Sequence, residues 1–188
     1  MKKILMVLAV LAVILLLGFG WYKAGYDTAV SKDEGVKSAW AQVENQLQRR
    51  MDLIPNLVNT VKGYAAQEKT VLTEVTRLRS QWGEARTVEE KIDTSNAMTS
   101  ALSRLLLVSE NYPQLKSNEN FLALQSQLEG TENRIAVERM RYNQAAQDLN
   151  TYRRGLVGQF FAARAGVTEP AMYFKADEKA KEAPAVSF

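Results

Sequence analysis

From residue 36 onward, apolar residues return every three or four positions and polar residues fill the gaps. The first set runs Val36, Trp40, Val43, Leu47, Met51, Ile54, Leu57 or Val58, and Val61, which is the stripe of one helix face. A second set is Val71, Val75, Leu78 and Trp82, and a third is Val88, Ile92, Met98, Leu102 and Leu105. A fourth runs Phe121, Leu124, Leu128, Ile135, Tyr142, Leu149, Leu156 and Phe160. No useful stretch alternates with period two, so the body is predicted to be all-helical.

Punctuation sets the expected boundaries. Gly63 and Ala65-Ala66 weaken the first helix, Gly83 ends the second, Asn111 and Pro113 stop the third, and Ser117 or Asn118 caps the fourth. The helices then lie near 34–63, 67–82, 87–112 and 117–163, about 45, 24, 39 and 70 Å long. Short connections make them antiparallel neighbours, so the predicted fold is all-α: an N-terminal transmembrane helix followed by an up-and-down antiparallel four-helix bundle. A single rod over 34–82 is the competing topology, and it would leave the fourth stripe exposed.

The transmembrane element is the segment from Ile4 through Leu16 to Trp21 and Tyr22, 19 uncharged residues that would span about 28 Å as a helix. Trp21 and Tyr22 suit the headgroup level, and Lys2 and Lys3 flank the other end. No A-x-A cleavage site follows, so residues 1–22 read as an uncleaved signal-anchor rather than a cleaved signal. The basic start favours an amino terminus inside and the body outside. A polar stretch with Asp27, Ser31 and Gly35 is expected to separate anchor from body. Residues 23–174 form the body, and 175–188, charged with little to bury, read as a disordered tail.

The sequence contains no histidine and no cysteine. That removes Ser-His-Asp triads, HExxH and thiolate zinc sites, iron–sulfur clusters and disulfides. From residue 23 onward, 22 basic residues face 21 acidic ones, so the pI near 9.1 does not point to nucleic acid. Neither a catalytic residue, a resident metal nor a cofactor is expected.

Four groups remain as candidates. Glu129, Glu132, Asn133 and Arg134 in "EGTENR" lie close on a helix, and the two carboxylates could chelate a hard cation or act as an acid/base pair. Solvation or pairing with arginine is the plainer expectation. Gly130 within that segment costs about 1 kcal/mol against alanine and calls for close helix approach or, as the lesser alternative, a bound ligand. Asn56, Asn59, Asn111, Asn118 and Asn120 either cap and turn the chain or form a buried network. Phe160 and Phe161 either dip into the membrane surface or pack against the first helix.

"RRMDLIPNLV" at 49–58 places Pro55 inside the first stripe, where its missing N–H and its ring cost about 3 kcal/mol in a straight helix. Ile54 is no N-cap, so a continuous, bent helix is expected. Arg49, Arg50 and Asp52 lie off the Leu47–Met51–Ile54 stripe and read as an exposed interaction surface, with Asp52 pairing Arg49.

"AWAQVENQLQRRMDLIPNLVNTVKGYAAQEK" (39–69) and "ENYPQLKSNENFLALQSQLEGTENRIAVERMRYNQAAQDLN" (110–150) resemble the LemA family of bacterial membrane proteins, a likeness running on to Tyr173-Phe174. The resemblance implies one membrane helix, a four-helix bundle, and no established catalytic activity. With the orientation that Lys2 and Lys3 favour, the expected place is the bacterial inner membrane with the bundle on the periplasmic side. The expected partners are the lipid bilayer, further copies of the chain, and a membrane protease of the HtpX type or another envelope protein. The leading functional expectation is a non-enzymatic scaffold or self-associating module with coiled-coil-like helices. The alternative is a ligand- or cation-binding protein or enzyme using the EGTENR carboxylates.

Overall fold

A computed structural model describes residues 2–174, and the expected tail at 175–188 lies outside them. Every element is helical: α1 (Lys2–Tyr64), α2 (Lys69–Glu84), α3 (Val88–Ser109), α4 (Pro113–Lys116), α5 (Glu119–Arg154) and α6 (Leu156–Arg164). The chain divides into two compact units. Of the described chain, the first joins residues 2–40 to 141–171, and the second comprises 41–140 with 172–174.

α1 corrects the expected interruption after the anchor, because one helix runs from the apolar segment through Asp27, Ser31 and Gly35 without a break. Lys37 holds Asp33 and Glu34 at 2.8 Å each, pairs one helical turn apart that support the polar stretch. Ala29 and Val36 are buried there, so this stretch carries a packed face rather than a linker. Among the described residues, α1 holds the one segment long and apolar enough to cross a membrane, and its side chains from Ile4 to Leu17 are exposed. The helix also passes Pro55 unbroken, as expected.

In the second unit, Val43, Leu47, Met51, Ile54, Leu57 and Val61 of α1 are buried. Val75, Leu78 and Trp82 of α2, Ile92, Met98 and Leu105 of α3, and Phe121, Leu128 and Ile135 of α5 join that core. Leu72 is buried where Val71 was expected to be. Asn118 caps α5 by accepting from the Phe121 N–H at 3.0 Å, and its amide donates to Tyr64 Oη at 3.0 Å. Asn56, Asn59, Asn111 and Asn120 are exposed, so the asparagines form no buried network.

α3 begins with a reciprocal cap. Thr87 Oγ1 accepts from the Glu90 N–H at 3.1 Å, while Glu90 Oε2 accepts from the Arg86 and Thr87 N–H groups at 2.8 and 3.1 Å. The Arg86 N–H bond, then the Thr87 one, holds the Glu90 carboxyl below its ordinary range. A depressed folded value means the stabilisation is full above the unfolded pKa and is lost as pH falls through the folded one. Thr87→Ala should cost about 1 kcal/mol. Acidification through the carboxylate range should loosen amide protection at the first turn of α3, and Glu90→Gln should flatten that dependence. An equally steep profile in Glu90→Gln would count against the carboxylate.

The first unit is where the fourth stripe departs from expectation. The helix predicted over 117–163 stops at Arg154, and α6 restarts after an extended Gly155. That break changes the phase, so Leu156 and Phe160, assigned to the core stripe, are 91% and 44% exposed, while Phe161 is 0% exposed. Gly158 permits the turn, because a β-carbon there would overlap the Tyr152 backbone carbonyl. α6 ends with Gly166 at φ 76°, where the Val167 N–H reaches Ala162 O at 2.9 Å and the Gly166 N–H reaches Ala163 O at 3.3 Å. These two bonds satisfy the last carbonyls of the helix in a left-handed cap that favours glycine.

Candidate functional site

The most unusual side chain in the second unit is Arg50, only 1% exposed in the middle of α1. This corrects its assignment to an outer face. Arg50 lies seven residues from both Val43 and Leu57, so the seven-residue spacing of buried positions carries it inward. Arg49 and Asp52 are exposed, and Asp52 accepts from Gln48 Nε2 at 2.8 Å rather than pairing with Arg49.

A buried guanidinium must be paired or it is very costly. Arg50 Nη1 donates to Thr99 Oγ1 of α3 at 2.7 Å, and Nη2 lies 2.9 Å from Glu132 Oε2 of α5. Thr99 in turn donates to the Ser95 carbonyl at 3.1 Å. Arg139, two turns beyond Glu132 on α5, donates to Asn96 Oδ1 and lies 4.3 Å from the centre of the Phe174 ring. The Nε atoms of Arg50 and Arg139 are buried and find no acceptor among the described residues.

Burial pushes the Arg50 guanidinium below its ordinary value, the Glu132 charge opposes that, and the Arg139 charge adds to it. Burial lowers Arg139 as well, again against Glu132. Two cations thus converge on one carboxylate. Both guanidiniums stay protonated near neutral pH, so this cluster can hold charge and fix helix register but offers no proton for exchange.

The EGTENR carboxylates have separate partners. Glu132 meets Arg50, while Glu129 accepts from Gln125 Nε2 at 3.0 Å. Asn133 and Arg134 are exposed. Both carboxylates border a cleft of about 140 Å³ lined also by Arg50, Thr99, Leu102 and Leu128. Among the described residues no group of three or more acidic side chains could surround a cation. Gly130 is also corrected: a β-carbon there would meet nothing within 4 Å, so close helix approach does not explain it.

A second polar contact in this unit joins Lys91 to Glu44, with the ammonium 5.4 Å from the centre of the Trp82 ring. Arg79 Nε donates to the Met51 carbonyl at 3.2 Å, the carbonyl whose N–H partner Pro55 lacks. The proline's missing donor is therefore supplied from α2.

In the first unit, Phe161 packs edge-on against Trp21 and Tyr22, with ring centres 5.1 and 5.6 Å apart. It rests on Gly25, where a β-carbon would overlap its ring. Tyr152 Oη donates to the Gly25 carbonyl at 2.9 Å, and Trp40 meets Tyr142 edge-on at 5.6 Å. Phe161 therefore takes the packed alternative, while Phe160 stays exposed with the Arg164 guanidinium 4.9 Å from its ring centre. The spacing of Phe161 from the fourth stripe gave no sign of this; the glycine pair 155 and 158 is the signal of the phase change.

Two curated relatives, Magnetosome protein MamQ 2 and Magnetosome protein MamQ 1 of Paramagnetospirillum magneticum, are each 26% identical to this chain. The matches cover 78% of this chain and 62% of each relative, so the chain spans less than two thirds of the proteins it matches. The LemA family profile matches residues 39–188, which takes in the buried Arg50 of α1, its partners on α3 and α5, and α6. With most of its length so matched, the chain belongs to the LemA family.

Proposed function

We propose that this chain is a non-enzymatic scaffold of the bacterial envelope that associates with further copies of itself in the membrane plane. The supporting observation is apolar surface left open on the second unit: Leu107 is 68% exposed, Met140 66%, and Val137, three residues from Met140 on α5, 43%. Val137 and Met140, three residues apart, share a helix face, and neighbouring exposed apolar side chains of this kind suit an association surface. One apolar helix as anchor suits the role, because lateral confinement raises effective concentration and lets weak contacts count.

On this reading residues 1–22 cross the inner membrane with the amino terminus inside, and 23–174 act as an up-and-down antiparallel four-helix bundle on the periplasmic side. Lys2 and Lys3 support that orientation. The magnetosome relatives support a membrane setting. Because the chain has no cysteine, Met140→Cys introduces a single thiol. Oxidation of intact membranes should join Met140→Cys chains into dimers, and a Val137→Glu change in the same chain should abolish them. Monomer alone, with no chain co-purifying with a differently tagged copy, would remove self-association.

A further inference from the structure

α6 is apolar on both of its faces. Gly158, Phe161 and Ala162 are buried, yet Leu156, Val157 and Phe160 on the other side are 91%, 54% and 44% exposed. Helical spacing groups Leu156, Phe160 and Ala163 on one face, bordered by Val157 and Arg164. Gln159 borders the open face on its other side, and a helix with apolar residues on two faces belongs where both are covered. Protein covers one of these faces, and the described residues leave the other open.

The position of α6 identifies the cover. Phe161 touches Trp21 and Tyr22, the last residues of the apolar segment of α1, and sits on Gly25 just beyond it. Aromatic residues at the end of a span mark the headgroup level. α6 is thus pinned to α1 at that level through Phe161. Arg154 is exposed beside the start of α6 and Arg164 closes it, so cations stand at both ends where anionic phosphates would be met. Arg153 is already engaged with the Val167 and Thr168 carbonyls and holds the segment after α6 in place.

We propose that α6 is a second membrane contact: it lies in the interface of the bilayer that holds α1, with Leu156, Val157 and Phe160 among the acyl chains and Arg154 and Arg164 at the lipid phosphates. The proposal rests on the apolar segment of α1 spanning the bilayer. It goes beyond anchoring by that span, because it fixes a second point of the first unit at the surface.

The test uses the full chain in vesicles of mixed zwitterionic and anionic phospholipid at low protein density. A nitroxide is attached to a single introduced cysteine at Leu11, Thr151, Leu156 or Phe160. Collision with oxygen, which concentrates in lipid, is compared with collision with a water-soluble nickel chelate. Thr151 is an exposed position on α5 and Leu11 lies within the span. At Leu156 and Phe160 the oxygen-to-nickel ratio should exceed that at Thr151 several-fold and fall short of that at Leu11. A ratio equal to that at Thr151 would overturn the proposal, as would shielding from both reagents, which would mean that protein covers the face. A water-like ratio at Leu11 would instead overturn the span itself.

Discussion

Arg50→Glu is expected to unfold the second unit, whereas Arg50→Met should leave it as stable as the parent or slightly more so. The glutamate would place a buried carboxylate beside Glu132 and break the bond to Thr99, a loss of about 4 kcal/mol or more. Methionine is close in length, needs no partner, and leaves Glu132, whose side chain is 43% exposed, free to take up water. Exchange of a buried ion pair for apolar packing is often neutral or stabilising. Arg49→Glu, one residue away and exposed, should stay within about 0.5 kcal/mol of the parent. Urea denaturation of the full chain followed by circular dichroism separates the three. Similar midpoints for the two glutamate variants would contradict the buried placement.

Arg50 also shows where sequence reading fell short. The stripe of Val43, Leu47, Met51 and Ile54 correctly gave the inward face of α1, because apolar residues mark burial directly. Arg50 lies off the Leu47–Met51–Ile54 stripe and so reads as outer, although its spacing from Val43 and Leu57 matches the buried set. Charge signals exposure only when no partner waits inside, and the partners Thr99 and Glu132 come from helices 49 and 82 residues away. No local window contains them. The same limit hid the end of α5: Arg153-Arg154-Gly155 has neither proline nor capping side chain, so the stripe was carried on to Leu156 and Phe160. The continuity of α1 is hidden for a third reason, since Asp27, Ser31 and Gly35 read as a polar break while Asp33, Glu34 and Lys37 in the same stretch form helix-supporting pairs.

Gly25→Ala is expected to release α6 from α1. The added methyl would occupy the place of the Phe161 ring, which is fully buried and has little room to turn between Trp21, Tyr22 and Phe160. Overpacking of this kind costs about 1–3 kcal/mol, and separating the aromatic pairs adds about 0.5–1.5 kcal/mol each. Hydrogen exchange of the full chain in lipid should show lost protection across residues 158–164 with α2 and α3 unchanged. A second change, Phe161→Leu, shortens the group that clashes and should restore part of that protection. Unaltered exchange in Gly25→Ala would mean that the glycine is not the seat of Phe161.

Tyr152 and Gly25, joined by a hydrogen bond, are 127 residues apart in the chain. The first unit is built from two stretches that the ribosome makes at opposite times, so it closes only after almost all of the described chain has emerged. At about 5–20 residues per second, synthesis would leave a newly made α1 waiting roughly 6–25 s with its glycine notch and flanking aromatic rings uncovered. Throughout that interval the notch can accept any apolar helix that meets it, including the α6 of a chain finished earlier. Exchange of α6 between successively made chains is therefore an assembly error to which this architecture is open, and a chain halted before Phe161 would remain open to it for its whole lifetime.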